Sequence, residues 1–418
     1  MQKFIIRGKK PLAGTIEVRG SKNAALPLLA ASTLFTKPIA LSNLPRIEDV
    51  FRMIEILESM GTKTNWEDKG TLRIDTSTID PEKIDQSLVS SLRGSVLFIG
   101  PLLARFKKCV VAHPGGDSIG ARPLDTHLQA FKDLGVTIIQ QKIKGQALYE
   151  FDATAMHGGE VILEEFSVTA TENTLMLVSL LTEPTTIKLA AAEPHVQNLI
   201  DFLCVAGVSI EKEGSHTLTV KGTPLLKSLT HELIPDYLEE GTFLILSALF
   251  DGAVSIARLS LSHLDAFRKK LMDMEVEIAH NSARAKNGRF LPVRLQTLPY
   301  PGFPTDLQAP FGLLLTQANG ISHIHEPLYE RRFAYLEELQ KMGATASVQN
   351  PHEAEITGPI DLKGASIRGF DLRAGITLIL AGLIAKGETV IENVYQVDRG
   401  YEAIDERLRA LGADIKRV

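Results

Sequence analysis

The segment Gly20-Ser21-Lys22-Asn23 holds a lysine at the turn into an apolar stretch that is predicted to be helical. A cation beside the free N–H groups of a helix start creates a site that attracts anions. The other copies of the repeat described below have no lysine at this position. The segment therefore predicts an anion site, with a solvated lysine in a turn as the alternative.

A glycine-rich loop, His113-Pro-Gly-Gly-Asp-Ser-Ile-Gly-Ala-Arg122-Pro123, follows the apolar strand predicted at 109–112. Its glycines approach the spacing of a phosphate-binding P-loop, but Ala121-Arg122 stands where Lys-Ser/Thr is required, which excludes that motif. The loop still carries one carboxylate, Asp117, and one guanidinium, Arg122. These features are typical of a lid that closes over substrate, with an ordinary surface turn as the alternative.

The segment Phe303-Pro304-Thr305-Asp306 opens another predicted helix, where an aspartate alone is most simply a helix cap. Four arginines also lie near predicted turns: Arg93, Arg332, Arg373 and Arg399. Any one of them is by default a surface residue. Several at corresponding places in a repeated scaffold favour an anionic substrate, because arginine binds carboxylate and phosphate in bidentate fashion.

Other kinds of chemistry find little support in the sequence. His323 and His325 alternate in a strand-like stretch without a third ligand nearby, so we expect them to be structural and predict no metal site. Cys109 lies in an apolar run and is expected to be inert packing. The chain has only one other cysteine, Cys204, and two cysteines cannot form a disulfide framework. This favours a reducing compartment. No Gly-x-Ser-x-Gly elbow, dinucleotide fingerprint or CxxC pair occurs, and no cofactor is expected.

A repeat organises the elements that must position these residues. An apolar helix-like run, then an anchor residue and a short alternating strand, recurs with the anchor at positions 61, 135, 207, 275, 343 and 412. The anchor is glycine except at Glu275, and glycine suits a left-handed residue at a helix C-terminus, so the cap in the fourth copy is expected to differ. Each copy is predicted to contain strand–helix–strand–helix–strand, as in Thr15–Val18 followed by a helix over Ala24–Phe35 and a second over Val50–Met60.

Six copies of about 70 residues are each too small for a large core of their own, so we expect them to share interiors in two lobes of three. The expected fold is an α/β two-lobe inverse barrel with a ligand cleft between the lobes. One lobe would span residues 22–231 and carry the lid loop 113–123. Residues 1–21 with 232–418 would form the other lobe, completed by the N-terminal strand. An extended solenoid is the alternative.

Composition places the chain in a broad class. The protein has 418 residues, of which 44% are hydrophobic, and a net charge of −5, which argues against a nucleic-acid binder. The longest apolar stretch, residues 376–385, is too short to span a membrane, and the N-terminus lacks the pattern of a secretory signal. We therefore expect a soluble cytoplasmic protein without membrane or nucleic-acid partners.

Taken together, five motifs resemble one family over essentially the whole chain. They are Gly20-Ser21-Lys22-Asn23-Ala24-Ala25-Leu26-Pro27, the lid segment 114–123, Phe303-Pro304-Thr305-Asp306, Asp371-Leu372-Arg373 and Asp398-Arg399-Gly400-Tyr401-Glu402. In this order they are similar to the UDP-N-acetylglucosamine 1-carboxyvinyltransferases, the enolpyruvyl transferases that open bacterial peptidoglycan synthesis. The related 5-enolpyruvylshikimate-3-phosphate synthases share the six-unit architecture but typically show Gly-Ser-Lys-Ser with a following arginine at the first turn.

The resemblance implies a reaction and roles for named residues. Enolpyruvate would pass from phosphoenolpyruvate to the sugar 3-hydroxyl with release of phosphate, without a metal or organic cofactor. Lys22 and Arg399 would hold the phosphate with help from Arg122, while Asp306 would orient or deprotonate the hydroxyl. The remaining residues implied to bind substrate are Asn23, Arg93, Pro123, Leu124, Asp125, Thr126, Ser167, Val168, Leu328, Arg332, Asp371 and Arg373. Thr169 stands where many members have glycine.

The largest departure from the family lies in the lid. Most members have cysteine where this chain has Asp117, at the position that protonates the methylene carbon of phosphoenolpyruvate. Aspartate can act as this acid only if it is protonated when the lid closes, which requires a pKa raised by burial and nearby negative charge. Fosfomycin alkylates the family's cysteine, so the resemblance implies a fosfomycin-resistant enzyme.

Two other functions compete with this one. A transferase that uses a different acceptor, such as shikimate 3-phosphate, is the alternative among enzymes. A catalytically weak paralogue that binds the nucleotide sugar as a regulator belongs to another class, although loss of some of the charged residues would then be expected. The residues leave the oligomeric state open, with a monomer as the expectation.

Overall fold

The structure of the protein is a computed structural model that describes residues 2–115, 120, 123–143 and 146–418. Asp117 and Arg122, predicted as the acid and the guanidinium of the lid, lie outside the described residues. The chain forms two compact units, one of Gly20–Gly116 with Arg122–Pro235 and one of Met1–Arg19, Asp117–Ala121 and Asp236–Val418. We call them the 20–235 unit and the 236–418 unit. The chain passes from one to the other at residues 19–20 and 235–236, where 21–22 and 231–232 were expected.

The elements follow the repeated order of strands and helices. Two strands precede the 20–235 unit, β1 (Lys3–Arg7) and β2 (Gly14–Glu17). The 20–235 unit contains α1 (Lys22–Ala31), β3 (Ile39–Ser42), α2 (Glu48–Ser59), β4 (Lys63–Trp66), β5 (Leu72–Asp75), α3 (Gln86–Ser91), α4 (Ile99–Phe106), β6 (Lys108–Ala112), α5 (Asp125–Asp133), β7 (Thr137–Ile143), β8 (Gln146–Asp152), β9 (Gly159–Ile162), α6 (Val168–Val178), β10 (Thr185–Lys188), α7 (Pro194–Ala206), β11 (Ser209–Glu213), β12 (Thr217–Lys221) and β13 (Thr230–Glu232).

The 236–418 unit continues the same order. It contains α8 (Tyr237–Leu249), β14 (Val254–Ala257), α9 (Asp265–Asp273), β15 (Val276–Ala279), β16 (Ser282–Ala285), β17 (Arg294–Gln296), α10 (Gln308–Leu315), β18 (Gly320–His325), α11 (Ala334–Lys341), β19 (Thr345–Asn350), β20 (Glu353–Gly358), β21 (Ser366–Arg368), α12 (Leu372–Ile384), β22 (Glu388–Glu392), α13 (Tyr395–Asp398), α14 (Ile404–Ala410) and β23 (Asp414–Arg417). Short 3₁₀ segments at Arg93–Phe98 and Thr305–Leu307 lead into α4 and α10.

The sheets show the repeat directly. The third copy forms a sheet in the order β9-β10-β12-β11, with β9 parallel to β10 and the other pairs antiparallel. The fifth copy repeats this order with β17-β18-β20-β19. In the sixth copy, β21-β22-β1-β23 has the same pattern, and the N-terminal strand β1 supplies the third position.

The first strand of the first copy is not where the sequence predicted it. The stretch Thr15–Val18 was assigned to the first copy, but β2 pairs in parallel with β14 of the fourth copy. The corresponding place beside β3 is taken by β13, which comes from the far end of the 20–235 unit. β2 contains a single apolar residue, Ile16, and β13 contains none, so the local pattern could not distinguish one partner from the other.

One helix of each copy forms the interior of its unit. In α8, α10 and α12 every residue from the first to the last or next-to-last is buried, and α1, α4 and α6 are nearly as enclosed. A helix that is apolar on all sides must be surrounded by other elements. The remaining helices, such as α2, bury one face only, in keeping with the predicted spacing of apolar residues.

The anchor residues end the outer helices in one common way. Gly61, Gly343 and the other anchor glycines have positive φ, as predicted for a left-handed C-terminal residue. Glu275 also adopts a left-handed conformation, with φ of 59°, and its N–H bonds to the carbonyl of Met272 as the glycines bond to theirs. The expectation of a different cap in the fourth copy was therefore wrong: the geometry is shared, and only the residue differs.

Candidate active site

Lys22 is held at the start of the first buried helix. Ser21 caps α1 by accepting a hydrogen bond from the Ala24 N–H, and Lys22 follows as the first helical residue. The Lys22 Nζ lies 2.6 Å from Asp49 Oδ2, and the two side chains are only 11% and 3% exposed. Lys22 is therefore a largely buried, paired cation, which does not fit the solvated lysine of the alternative interpretation. Asn23 is the next residue of the same helical turn.

Several residues predicted to contact the sugar nucleotide lie at helix starts of the 20–235 unit. Arg93 begins the 3₁₀ segment before α4 and donates a hydrogen bond of 3.2 Å to the Pro123 carbonyl. Pro123 and Leu124 lead into α5, which begins with Asp125 and Thr126. The arginine thus fixes the segment that opens α5.

The start of α6 packs against the same region. Ser167 caps α6 through the Ala170 N–H, and Val168 is the first helical residue. The hydroxyl of Thr126 lies 3.5 Å from Glu165, and His127 Nε2 lies 2.9 Å from the Thr169 hydroxyl. These hydrogen bonds join α5 to the segment that begins α6.

His127 gives this region a neutral, buried component. Burial, and then the neighbouring Arg93 guanidinium, lowers the pKa of His127 to about 3. The imidazole is therefore uncharged at neutral pH, and Arg93 provides a positive charge beside it. Arg93 and the residues that open α5 and α6 thus form one patch with a cation and two helix N-termini, which is suited to a phosphate-bearing ligand.

Three of the predicted residues meet in the 236–418 unit. Asp306 lies in the 3₁₀ turn before α10, and its Oδ2 is 3.0 Å from Arg373 Nη2 and 3.1 Å from Arg373 Nε. Its other oxygen, Oδ1, pairs with Arg332 Nη2. The Asp306 side chain is 26% exposed and pairs with an arginine through each of its oxygens, which a simple helix cap would not do.

Tyr401 and Asp371 fix the position of Arg373. Asp371 is the N-cap of α12 and accepts hydrogen bonds from the Arg373 and Ala374 N–H groups at 2.7 and 2.9 Å. Arg373 Nη1 donates to the Tyr401 hydroxyl at 3.2 Å, and that hydroxyl also lies 3.1 Å from the Thr242 hydroxyl on α8. Both ends of the arginine are therefore anchored, which leaves its guanidinium in one orientation.

The arginines of this unit are buried cations. Arg332, Arg373 and Arg399 are 8%, 4% and 8% exposed, so they are not the surface arginines that any one of them would be by default. Burial lowers the pKa of Arg332, but the charges of Asp306 and Asp371 outweigh it, and the pKa is raised overall. Both guanidinia beside Asp306 therefore carry charge at any physiological pH.

Arg332 keeps one donor that the described residues do not satisfy. One carboxylate, Asp306, faces two guanidinia, and the Nε of Arg332 is buried without a hydrogen-bond partner in the described part of the chain. A buried donor that lacks a partner carries a desolvation cost, which an anionic ligand would relieve. Arg399 lies just after α13 and donates to Gln396 at 3.0 Å, and Leu328 follows β18 with its side chain 37% exposed.

Sequence reasoning missed several partners of these residues. Asp49 pairs with Lys22, yet in the sequence it resembles any acidic residue in the first turn of a helix. Glu326 and Tyr401 contact site residues from segments that carry no repeat signal, although Tyr401 belongs to one of the quoted motifs. His323, expected to be structural, pairs with Glu355 on the neighbouring strand.

Other chemistry predicted from the sequence can be compared with the described residues. Burial raises the pKa of the Cys109 thiol to about 12, as suits inert packing. Across residues 2–115, 120, 123–143 and 146–418, no group of three His, Cys, Asp or Glu side chains could hold a metal ion. Over the same residues, no helix is both long and apolar enough to cross a membrane.

Two α/β units built from six repeats define a two-domain inverse α/β barrel. The chain belongs to the EPSP synthase (3-phosphoshikimate 1-carboxyvinyltransferase) family, which it matches over residues 6–408. Among solved structures, the enolpyruvyl transferase NikO from Streptomyces tendae has a TM-score of 0.89 at 23% identity and covers 100% of this chain and 99% of its own. An EPSP synthase from Acinetobacter baumannii has a TM-score of 0.73 at 16% identity, with 100% of both chains covered. At these identities, the two structures show the shared fold.

Curated relatives are closer in sequence. The UDP-N-acetylglucosamine 1-carboxyvinyltransferase of Finegoldia magna is 38% identical over 99% of this chain and 99% of its own. The protein of the same name from Koribacter versatilis is 39% identical over 100% of this chain and 97% of its own. That from Helicobacter pylori strain P12 is 39% identical over 99% of this chain and 98% of its own.

Proposed function

We propose that the protein transfers enolpyruvate from phosphoenolpyruvate to the 3-hydroxyl of UDP-N-acetylglucosamine and releases phosphate. The observation that carries the proposal is Asp306 between the buried guanidinia of Arg332 and Arg373. Asp306 and Arg373 belong to the motifs Phe303-Pro304-Thr305-Asp306 and Asp371-Leu372-Arg373, on which the resemblance to the enolpyruvyl transferases rests. Full-length relatives that bear the name of this activity, at 38–39% identity, support the choice of substrates.

The cations would bind the two anionic groups of phosphoenolpyruvate. Lys22 and Arg399 are assigned to the phosphate by resemblance, with Arg122 contributing from the loop. Arg332 and Arg373 are assigned to the rest of the molecule, and their fork-shaped guanidinia suit a carboxylate held in bidentate fashion. The buried Nε of Arg332 supports this assignment, because among the described residues this donor has no acceptor.

The sugar nucleotide would bind through the patch of helix starts in the 20–235 unit. Arg93 and the residues that open α5 and α6 provide one guanidinium and two helix N-termini, which complement a diphosphate. The set assigned by resemblance is Asn23, Arg93, Arg122, Pro123, Leu124, Asp125, Thr126, Ser167 and Val168, together with Asp306 and Leu328.

Two carboxyl groups would move protons in opposite directions. Asp306 would orient or deprotonate the attacking 3-hydroxyl, while Asp117 would give a proton to the methylene carbon. Oxygen then bonds to the central carbon of phosphoenolpyruvate, and loss of the methyl proton with the phosphate restores the double bond. A general acid or base of this kind contributes about 10²- to 10⁴-fold in rate.

The proposal also covers the setting of the reaction. The activity would supply the first committed step of peptidoglycan synthesis in the cytoplasm, with phosphoenolpyruvate and the sugar nucleotide as the only partners, no cofactor and a monomeric enzyme. With Asp117 in the position of the alkylated cysteine, the enzyme would resist fosfomycin, because a carboxylate is a weaker nucleophile than a thiolate.

Phosphate release from phosphoenolpyruvate tests the proposal. The purified protein would be assayed with UDP-N-acetylglucosamine, with shikimate 3-phosphate and with neither, and the product mass would be measured. Release of phosphate with UDP-N-acetylglucosamine but not with shikimate 3-phosphate supports the proposal. Turnover with shikimate 3-phosphate would show that the proposed acceptor is wrong. Tight binding of the sugar nucleotide without turnover would favour a regulator.

A further inference from the structure

A buried carboxylate lies behind the Asp306 cluster of the 236–418 unit. Glu326 follows β18 directly and is 0% exposed. Its Oε2 accepts a hydrogen bond of 2.7 Å from the Thr305 hydroxyl, and its Oε1 accepts one of 3.1 Å from the Leu328 N–H. One carboxylate therefore joins the turn that carries Asp306 to the segment that carries Leu328.

The backbone of Glu326 is fixed independently of its side chain. Its N–H donates to the His352 carbonyl at 2.8 Å, and its own carbonyl accepts from His352 Nδ1 at 2.8 Å. β18 itself pairs with β20 along its whole length, from Gly320 to His325. The carboxylate thus projects from a rigid base, and its position determines where its two donors can lie.

The charge of Glu326 also reaches the arginine cluster. Burial lowers the pKa of Arg332, and a set of negative groups beginning with Asp306 and including Glu326 raises it overall. Burial, and then Glu326, raises the pKa of the enclosed Tyr335 phenol. The Thr305 hydroxyl and the Leu328 N–H are both neutral donors, and a charged group buried among neutral partners carries a desolvation cost.

We propose that Glu326 is a positioning residue for the enolpyruvyl transfer. Through the Thr305 hydroxyl it holds Asp306 in register with the two guanidinia, and through the Leu328 N–H it holds the segment assigned to the sugar nucleotide. Glu326 acts through these groups and touches no reacting atom. The inference rests on the proposed function and adds to it two residues, Thr305 and Glu326, that lie outside the substrate contacts.

The hydroxyl of Thr305 provides the sharpest test. Thr305→Val removes the hydrogen bond at nearly constant volume, whereas Thr305→Ser keeps it. A hydrogen bond to a charged acceptor corresponds to a rate effect of about tenfold or more when it is lost. We expect Thr305→Val to lower kcat by about that factor with the KM of each substrate changed by less than about threefold, and Thr305→Ser to return kcat to within about threefold of the wild type.

A second variant and a matched control separate positioning from stability. Glu326→Gln removes the charge but can still bond both partners, and the Thr305→Val/Glu326→Gln double variant should lose no more than the worse single variant, because the two residues act through one link. Glu338→Gln removes another buried carboxylate of the same unit, one that accepts from the Arg368 N–H. The kcat of Glu338→Gln should match that of the wild type when it is calculated per folded enzyme, with the folded fraction measured by thermal unfolding.

The outcomes distinguish the two proposals. A wild-type enzyme without turnover would overturn the proposed function and this inference with it. An active wild type with an unchanged Thr305→Val variant would overturn the inference alone. The same holds if Thr305→Ser fails to restore kcat, if the losses of the double variant multiply, or if Glu338→Gln lowers kcat as much as Glu326→Gln does.

Discussion

Asp306→Asn would separate two functions of one carboxylate, namely acting on the hydroxyl and balancing the arginines. Its two oxygens pair with Arg332 and Arg373, whose side chains are 7% and 4% exposed. Asparagine keeps the shape and one acceptor oxygen but removes the negative charge. The variant should therefore lose catalysis and leave the two guanidinia with less counter-charge, although Asp371, Glu326 and Asp236 remain within electrostatic reach.

The magnitudes follow from the geometry. Charges about 4 Å apart attract by about 4 kcal/mol at an effective dielectric constant of about 20, so the anion of phosphoenolpyruvate competes with a substantial internal interaction in the wild type. Part of that competition disappears in Asp306→Asn. Release of about 1.4 kcal/mol would tighten phosphoenolpyruvate binding tenfold, while loss of the hydroxyl-directed group should lower kcat by about 10²- to 10⁴-fold.

Two measurements check this prediction. Phosphate release gives kcat, and the rise of the unfolding midpoint with phosphoenolpyruvate concentration gives its affinity. Without ligand, the variant should unfold at a lower temperature, because two buried guanidinia have lost the carboxylate that pairs with both of them. A variant that turns over within tenfold of the wild type would refute the assignment of Asp306, and one that binds phosphoenolpyruvate more weakly would refute the competition between carboxylate and ligand.

Three further predictions use other features of the chain. Glu275→Gly should raise the free energy of unfolding by about 1 kcal/mol, because Glu275 has φ of 59°. Gly343→Ala should lower it by a similar amount, because Gly343 also has positive φ and open space around it. Thermal unfolding midpoints equal to that of the wild type would contradict this. Burial, and then Glu193, raises the pKa of Glu172 well above its ordinary 4.5, so the folded protein keeps a proton that the unfolded chain loses, and stability should fall as the pH rises above that value. Glu172→Gln should remove this part of the fall between pH 5 and 8 in urea unfolding, and parallel curves would refute it. Asp117→Cys should remain active and become sensitive to time-dependent fosfomycin inactivation; covalent inactivation of the wild type at low drug concentration would contradict this. Asp117→Asn should bind substrates but nearly abolish turnover, and full activity of this variant would contradict that assignment.

The repeat made much of the fold predictable from the sequence. Six anchors at nearly constant spacing gave the number of copies, and the left-handed glycines at Gly61 and Gly343 confirm why glycine recurs there. Helix positions followed from apolar spacing to within a few residues, as with α2 at Glu48–Ser59 against a predicted Val50–Met60. Periodicity identifies which face of an element is buried, and that information is local in the chain.

Pairings between distant segments were not predictable in the same way. β2 and β13 each pair with a copy other than the one beside them in sequence, and the apolar pattern of four or three residues does not name a partner. The contact between Lys22 and Asp49 is of the same kind, since an acidic residue in the first turn of a helix is common for reasons unrelated to ligands. At Glu275 the local sequence was misleading for another reason. The backbone there is left-handed, as at the anchor glycines, although glutamate disfavours that conformation.

The position of the site within the repeat explains why departures from it identified the chemistry. In the 236–418 unit, Asp236 and Asp371 cap α8 and α12, and Asp306 lies in the turn before α10. The interiors of these helices are buried on all sides, and most of the charged groups of the cluster lie at their starts. Burial lowers the pKa of Arg373, while Asp306, Tyr401 and Asp236 raise it, which places elements from all three helix starts within electrostatic reach of one guanidinium. Under the proposed function, the positive ends of these helices and the fixed arginine would attract the anionic substrate, and the repeated scaffold would differ from a plain one only in a few residues at its helix starts.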